Sequence, residues 1–344
     1  MRPLPEVDLA HVLAHTSELW AESAGASFFI SGGTGFFGIW LLESLLYVNQ
    51  RLGLGMRATV LTRDPAAFLQ KVPHFAGVPE LTLLRGDIGD FAFPPGPFTY
   101  GIHAATDVSG ALGREAPWEM LETIVGGTRR VLDFATCVGM KKLLFTSSGA
   151  VYGRQPAEVE RVSEEYSGAP DPLLPGSAYG EGKRMAEHLC VVDALRHSYE
   201  VKIARCFAFV GPHLPMGGNF AIGNFIRDAL RGGPVEITGD VRTERSYLYA
   251  SELAIWLWTL LFKGRSGRAY NVGSSEAFTL GEIAGLVGAA IGGNPRVSFP
   301  AAGAGVAFSR YIPCTKRAET ELGLRRHIGL LEGIQKTAAW LTSG

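Results

Sequence analysis

The feature that most constrains the fold is a glycine-rich loop between a short apolar run and an amphipathic one. Residues Ser27–Ser31 are typical of a buried β-strand, and the loop Gly32-Gly33-Thr34-Gly35-Phe36-Phe37-Gly38 follows directly. Large apolar residues at helical spacing come next, from Trp40 to Leu46, and predict a helix. In such a unit the glycines permit a tight turn, the approach of a pyrophosphate and close packing of the helix. Since the helix N-terminus adds free N–H groups and partial positive charge, the sequence predicts a dinucleotide-binding loop.

Short apolar runs and helical patterns alternate through the first two thirds of the chain. Strands are predicted at 27–31, 57–62, 81–84, 100–103, 142–146 and 201–204, and long helices at 119–138 and 179–197. This alternation is typical of an α/β Rossmann fold, a doubly wound parallel sheet with helices on both faces. Because ligands of such sheets bind at the carboxyl ends of the strands, the residues after each strand are candidate site residues.

The alternation ends near residue 212. Short helices and strands separated by glycine-containing loops then predict a smaller C-terminal α/β substrate-binding lobe. We therefore divide the chain into a helical extension (1–25), an NAD(P)-binding Rossmann domain (26–212) and a mainly substrate-binding lobe (213–344). A short return to the core domain is possible near 240–275. Within the extension, a helix is predicted over 8–20 with Asp8 as its N-cap.

The end of the second predicted strand bears on the choice of coenzyme. An acidic residue there would bond the ribose 2′-hydroxyl of NAD. Here the strand ends in Thr62 and Arg63, with Asp64 one place further. A hydroxyl followed by a guanidinium suits a 2′-phosphate better, which weakly favours NADP over NAD. Alternatively, Arg63 is only a solvated residue before a helix that Asp64 caps.

A tyrosine and a lysine four residues apart form the second candidate site. Tyr179 and Lys183 lie on one face of a predicted helix, some thirty residues after Ser147-Ser148 at a strand end. An ammonium beside a phenol favours the phenolate, so the pKa of Tyr179 is predicted to fall from about 10 towards neutrality. Such a phenolate is a competent general base for a sugar or steroid hydroxyl, with a serine holding the same oxygen. By itself the Tyr-x-x-x-Lys spacing also occurs by chance in many helices.

Composition and charge exclude several classes of function. The formal charge of −1 and the absence of a basic cluster speak against nucleic-acid binding. No apolar stretch is long enough to span a membrane, and the N-terminus does not read as a signal peptide, so a cytoplasmic protein without a membrane partner is expected. The four cysteines are scattered without a C-x-x-C pair, which fits a reducing compartment, and no metal site is predicted.

Taken together, the motifs resemble those of the extended short-chain dehydrogenase/reductases, which include nucleotide-sugar epimerases, dehydratases and 4-ketoreductases. The resemblance runs from about Ala26 to Leu341. It is carried by Gly32-x-x-Gly35-x-x-Gly38, Gly86-Asp87-Ile88, His103-Ala104-Ala105, Thr146-Ser147-Ser148 with Val151-Tyr152-Gly153, Tyr179-x-x-x-Lys183, Arg205 with Gly211-Pro212, Gly239-Asp240 with Arg245, and Leu322-Gly323.

The resemblance implies a role for each matching residue. Ser148, Tyr179 and Lys183 would be the catalytic set, with Tyr179 as the base and Lys183 on the nicotinamide ribose. Ser148, Tyr179, Asn219 and Arg245 would contact the substrate, and Arg245 would pair with its diphosphate. The residues expected to contact NAD(P) are Gly32, Gly35, Phe36, Phe37, Gly38, Thr62, Arg63, Asp87, Ile88, Ala104, Ala105, Thr106, Thr123, Thr146, Tyr179, Lys183 and Phe207.

Departures from the family pattern bear on the reaction. In the dTDP-glucose 4,6-dehydratases an Asp-Glu pair follows the catalytic threonine, and UDP-glucuronate decarboxylases keep a glutamate at the second of these positions. Here the two positions are Gly149 and Ala150, as small as in the UDP-galactose 4-epimerases. Ala208 replaces a family asparagine near the substrate phosphates, and Thr123 stands where an asparagine is common.

These comparisons predict a nucleotide-sugar 4-epimerase that oxidises its substrate transiently to a 4-keto sugar. The alternative is an NADPH-dependent reductase of a nucleotide 4-keto-6-deoxysugar, which Thr62-Arg63 favours. A 4,6-dehydratase is less expected, and a non-catalytic binding protein on the same fold least. The expected partners are a nucleotide-diphosphate sugar and a second copy of the chain, because the family often dimerises through helices like 119–138 and 179–197.

Overall fold

The computed structural model describes residues 1–106, 116–218, 220–292, 297–298 and 308–343. The strands are β1 (Ser27–Ser31), β2 (Arg57–Thr62), β3 (Leu81–Arg85), β4 (Tyr100–His103), β5 (Lys142–Ser148), β6 (Glu200–Cys206), β7 (Phe209–Val210), β8 (Val235–Glu236), β9 (Glu244–Arg245), β10 (Leu248–Tyr249), β11 (Arg268–Val272), β12 (Phe278–Thr279), β13 (Val297–Ser298) and β14 (Arg310–Tyr311). The α-helices are α1 (Glu6–Thr16), α2 (Phe36–Leu52), α3 (Pro65–Lys71), α4 (Pro117–Leu121), α5 (Gly127–Cys137), α6 (Ala178–Arg196), α7 (Ala221–Leu230), α8 (Ala250–Lys263), α9 (Leu280–Ile291), α10 (Lys316–Leu322) and α11 (Leu330–Thr342).

Seven parallel strands form the central sheet, in the order β11-β6-β5-β4-β1-β2-β3. The chain leaves β1 towards β2 on one side and later returns to place β4 on the other. Between β1 and β4 the strand order reverses, which opens a crevice at the carboxyl edge of the sheet where such folds bind ligands. The predicted doubly wound parallel sheet is thereby confirmed.

The two faces of the sheet carry separate apolar layers. On one face, α1, α2 and α8 pack with four buried tryptophans, Trp20, Trp40, Trp256 and Trp258. On the other, α5 and α6 cover a cluster in which the rings of Phe29 and Phe134 lie 4.7 Å apart. Because both faces of the strands are buried, the strands read as continuous apolar runs instead of alternating patterns.

The helix predicted over 119–138 is interrupted. A π-helical segment, Glu122–Gly126, joins α4 to α5. The interruption coincides with two adjacent glycines, Gly126 and Gly127, which lower helix propensity. Close packing explains Gly127, since a Cβ atom there would lie 2.8 Å from the Ile88 side chain. π-Helical turns are frequent at functional sites, and this one carries Thr123.

The N-terminal helix begins earlier than predicted, and Asp8 is not its N-cap. Pro5 occupies that position, and Asp8 lies fully buried within α1. The Asp8 carboxylate accepts a 2.8 Å hydrogen bond from the Tyr249 hydroxyl and lies 2.9 Å from the Lys336 ammonium. The extension is therefore held to α11 and to the segment before α8 by a buried charge.

The remaining strands form small sheets beside the carboxyl edge of the large one. Strands β12, β9 and β14 make one sheet, and β13 pairs with β8. In sequence, α8 and β11 lie between β9 and β12. There the chain returns to the large sheet, where α8 is buried and β11 pairs with β6. No helix among the described residues is long and apolar enough to cross a membrane.

Candidate active site

The glycine-rich loop is shaped by contacts that only glycine permits. Gly32 has a φ of +75°, and a Cβ atom there would lie 2.4 Å from the backbone of Ala104 at the end of β4. A Cβ atom on Gly38 would lie 2.3 Å from the Gly33 backbone, so α2 packs directly on the loop. Gly35 is the exposed N-cap of α2, and no side chain caps the amides there.

This loop fits a dinucleotide pyrophosphate. Free amides at the start of a 17-residue helix form an anion site of the kind that pyrophosphate occupies. Phe36 and Phe37 open the helix, and the Phe37 ring packs edge-on against Phe209 at 5.1 Å. The small residues Ala104, Ala105 and Thr106 line the adjacent strand end, all partly exposed.

The side chains at the end of β2 differ in their exposure and in their hydrogen-bond partners. Thr62 is buried, whereas Arg63 is exposed and makes no ion pair within the described part of the chain. The Asp64 carboxylate accepts the amide of Ala67 at 2.9 Å and so caps α3, as the alternative interpretation of this strand end predicts. After β3, the Asp87 carboxylate accepts the amide of Gly89 at 3.0 Å. Both carboxylates are thus engaged by backbone amides, and a contact of Arg63 with the coenzyme stays a prediction.

Ser148, Tyr179 and Lys183 converge at the carboxyl end of β5. Ser148 is the last residue of that strand, and its hydroxyl accepts the amide of Ala150 at 3.1 Å. Tyr179 lies in the first turn of α6, near enough to Ser148 for that hydroxyl to act on the pKa of its phenol. Lys183, one turn further, is buried and donates to the carbonyl of Thr146 at 2.8 Å.

The predicted fall in the pKa of Tyr179 is wrong. Burial raises the pKa of this phenol to about 12, although the nearby Ser148 hydroxyl works in the opposite direction. The Lys183 ammonium does not offset the burial, because it turns to the Thr146 carbonyl and lies 4.8 Å from the centre of the Phe145 ring. Burial also lowers the pKa of Lys183 itself to about 8.

These two pKa values predict the pH dependence of turnover. If the reaction needs a Tyr179 phenolate and a Lys183 ammonium, kcat/KM should rise about tenfold per pH unit up to about pH 8 and then level off. Above that pH, each gain in phenolate is cancelled by a loss of ammonium. Lys183→Arg keeps its charge, so its rise should continue beyond pH 8.

The matched control is Lys141→Arg on the exposed surface, which should reproduce the parent profile. A Lys183→Arg variant that levels off at the same pH as the parent would show that another group sets the limit.

A buried ion pair contacts the end of β5 next to the catalytic residues. The Arg205 guanidinium binds the Glu187 carboxylate through two nitrogens, at 2.7 and 3.0 Å. The Ser147 hydroxyl donates to the same carboxylate at 2.5 Å, and Arg205 also donates to the Tyr152 hydroxyl at 2.9 Å. Since Glu187 lies one turn after Lys183, this network joins α6, β5 and β6 directly beneath the site.

His103 links the end of β1 to the first turn of α5. One ring nitrogen lies 2.7 Å from the Ser31 hydroxyl and the other 3.0 Å from the Thr128 hydroxyl. Burial lowers the pKa of His103 to about 3, so the ring stays neutral. The Thr128 hydroxyl in turn donates to the carbonyl of Ile124, beside Thr123.

Arg245 is a partly buried guanidinium whose partners among the described residues are all neutral. It donates to the carbonyls of Glu244 and Ser309 at 2.8 and 3.3 Å and to the Ser309 hydroxyl at 3.0 Å. In the ranges that the structure covers, no carboxylate pairs with it, and burial lowers its pKa. A partly buried cation without a carboxylate partner fits a phosphate ligand. The other predicted substrate residue, Asn219, lies outside the described residues.

One residue at the site was missed by the sequence analysis. The Tyr311 hydroxyl lies 3.5 Å from the Ser148 hydroxyl, and its ring packs on Phe207 with centroids 4.7 Å apart. Tyr311 belongs to β14, which pairs with β9 so that Tyr311 lies opposite Arg245. A strand of two residues has no detectable pattern, so nothing in the sequence indicated this position.

The crevice, the glycine loop and the Ser148–Tyr179–Lys183 set define an enzyme of the extended short-chain dehydrogenase/reductase class. A sequence model described as "NAD dependent epimerase/dehydratase family" matches residues 28–273. The chain belongs to this family.

Relatives with different reactions share the fold. UDP-glucuronic acid decarboxylase 1 of Xenopus tropicalis is 30% identical over 308 residues, which cover 90% of this chain and 70% of that protein. UDP-glucose 4-epimerase of Thermus thermophilus, solved with NAD, is 25% identical with a TM-score of 0.72, covering 92% of this chain and 99% of that one. A dTDP-glucose 4,6-dehydratase of Bacillus anthracis, also with NAD, is 18% identical with a TM-score of 0.74, covering 92% and 96%. Similarity therefore establishes the family but does not identify the reaction, which has to be inferred from the residues of the site.

Proposed function

We propose that this enzyme is a nucleotide-sugar 4-epimerase. The observation that carries the proposal is the surroundings of Gly149. A Cβ atom there would lie 2.7 Å from both the Phe207 ring and the Tyr311 hydroxyl, so no acidic side chain fits. Ala150 cannot supply a carboxylate either. Elimination of water needs an acid and a base beside the catalytic serine, and these two positions offer none.

The remaining groups suit reversible oxidation at C4. Tyr179 takes the proton of the C4 hydroxyl while Ser148 holds the same oxygen. Tyr179 returns that proton to the C4 oxygen once the 4-keto sugar has rotated to present its other face. When bound, oxidised NAD(P) supplies the hydride acceptor and a positive charge that favours the Tyr179 phenolate. Arg245 holds the diphosphate, which anchors the nucleotide while the sugar turns.

The similarity to UDP-glucuronic acid decarboxylases makes decarboxylation the strongest competing reaction. The test is to incubate the purified enzyme separately with UDP-glucose, UDP-galactose and UDP-glucuronic acid and to analyse the nucleotide sugars by chromatography and mass spectrometry. Conversion to the C4 epimer without loss of mass supports the proposal. A product that has lost carbon dioxide or water would contradict it.

The alternative of an NADPH-dependent 4-ketoreductase rests on Arg63, which is exposed and has no ion pair in the described residues. We propose that Arg63 gives NADP an advantage over NAD at the adenosine ribose. Arg63→Ala should then weaken NADP binding about tenfold and leave NAD binding nearly unchanged, measured by fluorescence or calorimetric titration.

Arg57→Ala is the matched control, because this exposed arginine lies at the opposite end of the same strand. Equal losses for both coenzymes in Arg63→Ala would refute the proposed contact. Mass spectrometry of any coenzyme released on denaturation separates the two reactions, since retained oxidised coenzyme supports the epimerase.

We also propose that the enzyme forms a homodimer through α4, the π-helical segment and α6. Four apolar side chains on these elements are exposed: Trp118 (69%), Met185 (50%), Val192 (39%) and Leu195 (83%). Trp118 and Met185 line a groove together with Leu121 and Val125. Exposed apolar patches of this kind mark protein interfaces. Sedimentation of the full chain would show a monomer if the proposal were wrong.

A further inference from the structure

The hydrogen bonds around His103 determine which of its ring nitrogens carries the proton. The Thr128 hydroxyl donates its single proton to the Ile124 carbonyl at 2.6 Å, because a carbonyl oxygen can only accept. Towards the His103 Nε2, which lies 3.0 Å away, this hydroxyl can therefore only accept. The ring is buried between two neutral hydroxyls, which favours its uncharged form. Nε2 thus carries the only ring proton, and Nδ1 accepts the Ser31 hydroxyl at 2.7 Å.

The Ser31 end of this hydrogen-bonded chain lies at the glycine loop. Ser31 is the last residue of β1, and Gly32 follows it directly. The Ser31 carbonyl accepts the Ala104 amide at 3.0 Å, and Gly32 packs against the backbone of Ala104. The side chain of His103 adds a second bond between the same two strand ends. It therefore helps to fix the point from which the glycine loop starts.

The Thr128 end of the chain lies beside α6. Its hydroxyl bonds Ile124, which belongs to the π-helical segment. The Ile124 side chain packs on Gly182, where a Cβ atom would lie 3.2 Å from it. Gly182 stands between Tyr179 and Lys183 on α6. The π-helical segment thus contacts the catalytic helix between its two functional residues.

The backbone of His103 makes a second connection to the catalytic lysine. Its carbonyl accepts the Thr146 hydroxyl at 3.2 Å. The Thr146 carbonyl in turn accepts the Lys183 ammonium at 2.8 Å. His103 therefore connects the start of the glycine loop to α6 through its side chain and through its backbone.

We propose that His103, as the Nε2–H tautomer, is a positioning residue that holds the coenzyme-binding glycine loop in a fixed place relative to the Tyr179–Lys183 helix. It acts through Ser31 and Thr128 and needs no contact with the reacting atoms. The proposal concerns the binding of the coenzyme and goes beyond the reaction proposed above, on which it does not depend.

The test is the binding of NAD and NADP to the full chain, measured by calorimetric titration without a nucleotide sugar. Thr128→Val keeps the shape of the side chain and leaves the His103 proton without its acceptor. Ser31→Ala removes the donor at the other nitrogen. Each variant should weaken binding of the coenzyme about tenfold, the effect of one lost buried hydrogen bond.

Thr337→Val is the matched control. Thr337 is as fully buried as Thr128, and its hydroxyl likewise donates to the carbonyl four residues earlier, at 2.6 Å from Gly333. It lies in the C-terminal helix α11. Its coenzyme affinity should equal that of the parent enzyme, so a general effect of removing a buried threonine hydroxyl is accounted for.

A double variant shows whether the two ends act through one residue. If they do, Ser31→Ala and Thr128→Val together should weaken binding by less than the product of their separate effects, because the first change already breaks the chain of hydrogen bonds. Effects that multiply would mean that Ser31 and Thr128 act independently, which would overturn the proposal.

Nitrogen-15 NMR of the imidazole gives a readout that is independent of binding. The His103 signals, assigned by their loss in His103→Gln, should show a protonated Nε2 and an unprotonated Nδ1. Because burial lowers the pKa of His103 to about 3, this pattern should persist down to about pH 5. A protonated Nδ1, or parent-like coenzyme affinity in both single variants, would refute the role. Neither measurement requires conversion of a sugar, so both stay decisive even if the enzyme proves not to be an epimerase.

Discussion

Tyr179→Phe should lower kcat for nucleotide-sugar conversion about 10²- to 10⁴-fold, the usual contribution of a general base. The ring of Tyr179 and its packing at the start of α6 stay in place, so only the proton acceptor is lost. Binding of the nucleotide should change little, because Arg245 and not the phenol carries the diphosphate contact proposed above. The measurement is the rate of C4 inversion at saturating UDP-glucose or UDP-galactose.

Tyr100→Phe is the matched control for this variant. It also removes a partly buried hydroxyl, which donates to the Glu22 carbonyl at 3.1 Å, but it lies at the start of β4, away from the carboxyl edge. Its activity should equal that of the parent enzyme. A loss of less than tenfold in Tyr179→Phe would mean that another group takes the C4 proton.

Breaking the ion pair beneath the site should have the largest effect on stability. Arg205→Met leaves the Glu187 carboxylate buried and uncompensated, and Glu187→Gln does the same to Arg205, with side chains only 17% and 10% exposed. Each single variant should lose about 3–5 kcal/mol of unfolding free energy, measured by urea denaturation. The double variant should lose less than the sum, because neither charge is then left alone.

The Arg51–Glu6 pair provides the control, since both side chains are at least half exposed. Arg51→Met should cost no more than about 1 kcal/mol. Similar losses for the buried and the exposed pair would show that the network under β5 does not stabilise the enzyme as argued.

Much of the fold follows from local pattern. The bounds of β1, β2 and β4 agree with prediction residue for residue, because each strand is an apolar run that ends at a loop. The long helix over 119–138 was predicted without its π-helical segment. That segment ends at two adjacent glycines, and Gly127 packs against Ile88 from another part of the chain.

The site shows the same limit of sequence reasoning. Helical spacing correctly places Tyr179 and Lys183 on one helix, but it does not reveal that the ammonium turns to the Thr146 carbonyl. The predicted direction of the Tyr179 pKa shift was wrong for that reason. It was also wrong because the burial of the phenol depends on tertiary packing, which helical spacing does not show. Tyr311 reaches Ser148 across 163 residues of sequence, from a strand too short to predict.

The late return of the chain to the large sheet bears on how the protein is made. When the ribosome has delivered only the first 212 residues, β6 is still an edge strand, and the surface that α8 covers faces water. Open edges and bare apolar surface are what nascent chains aggregate through. The sheet is complete only once Val272 has emerged and β11 has paired. A chain cut near residue 212 would therefore lack α8 and β11. Synthesis must continue well past this residue before the Rossmann domain is stable.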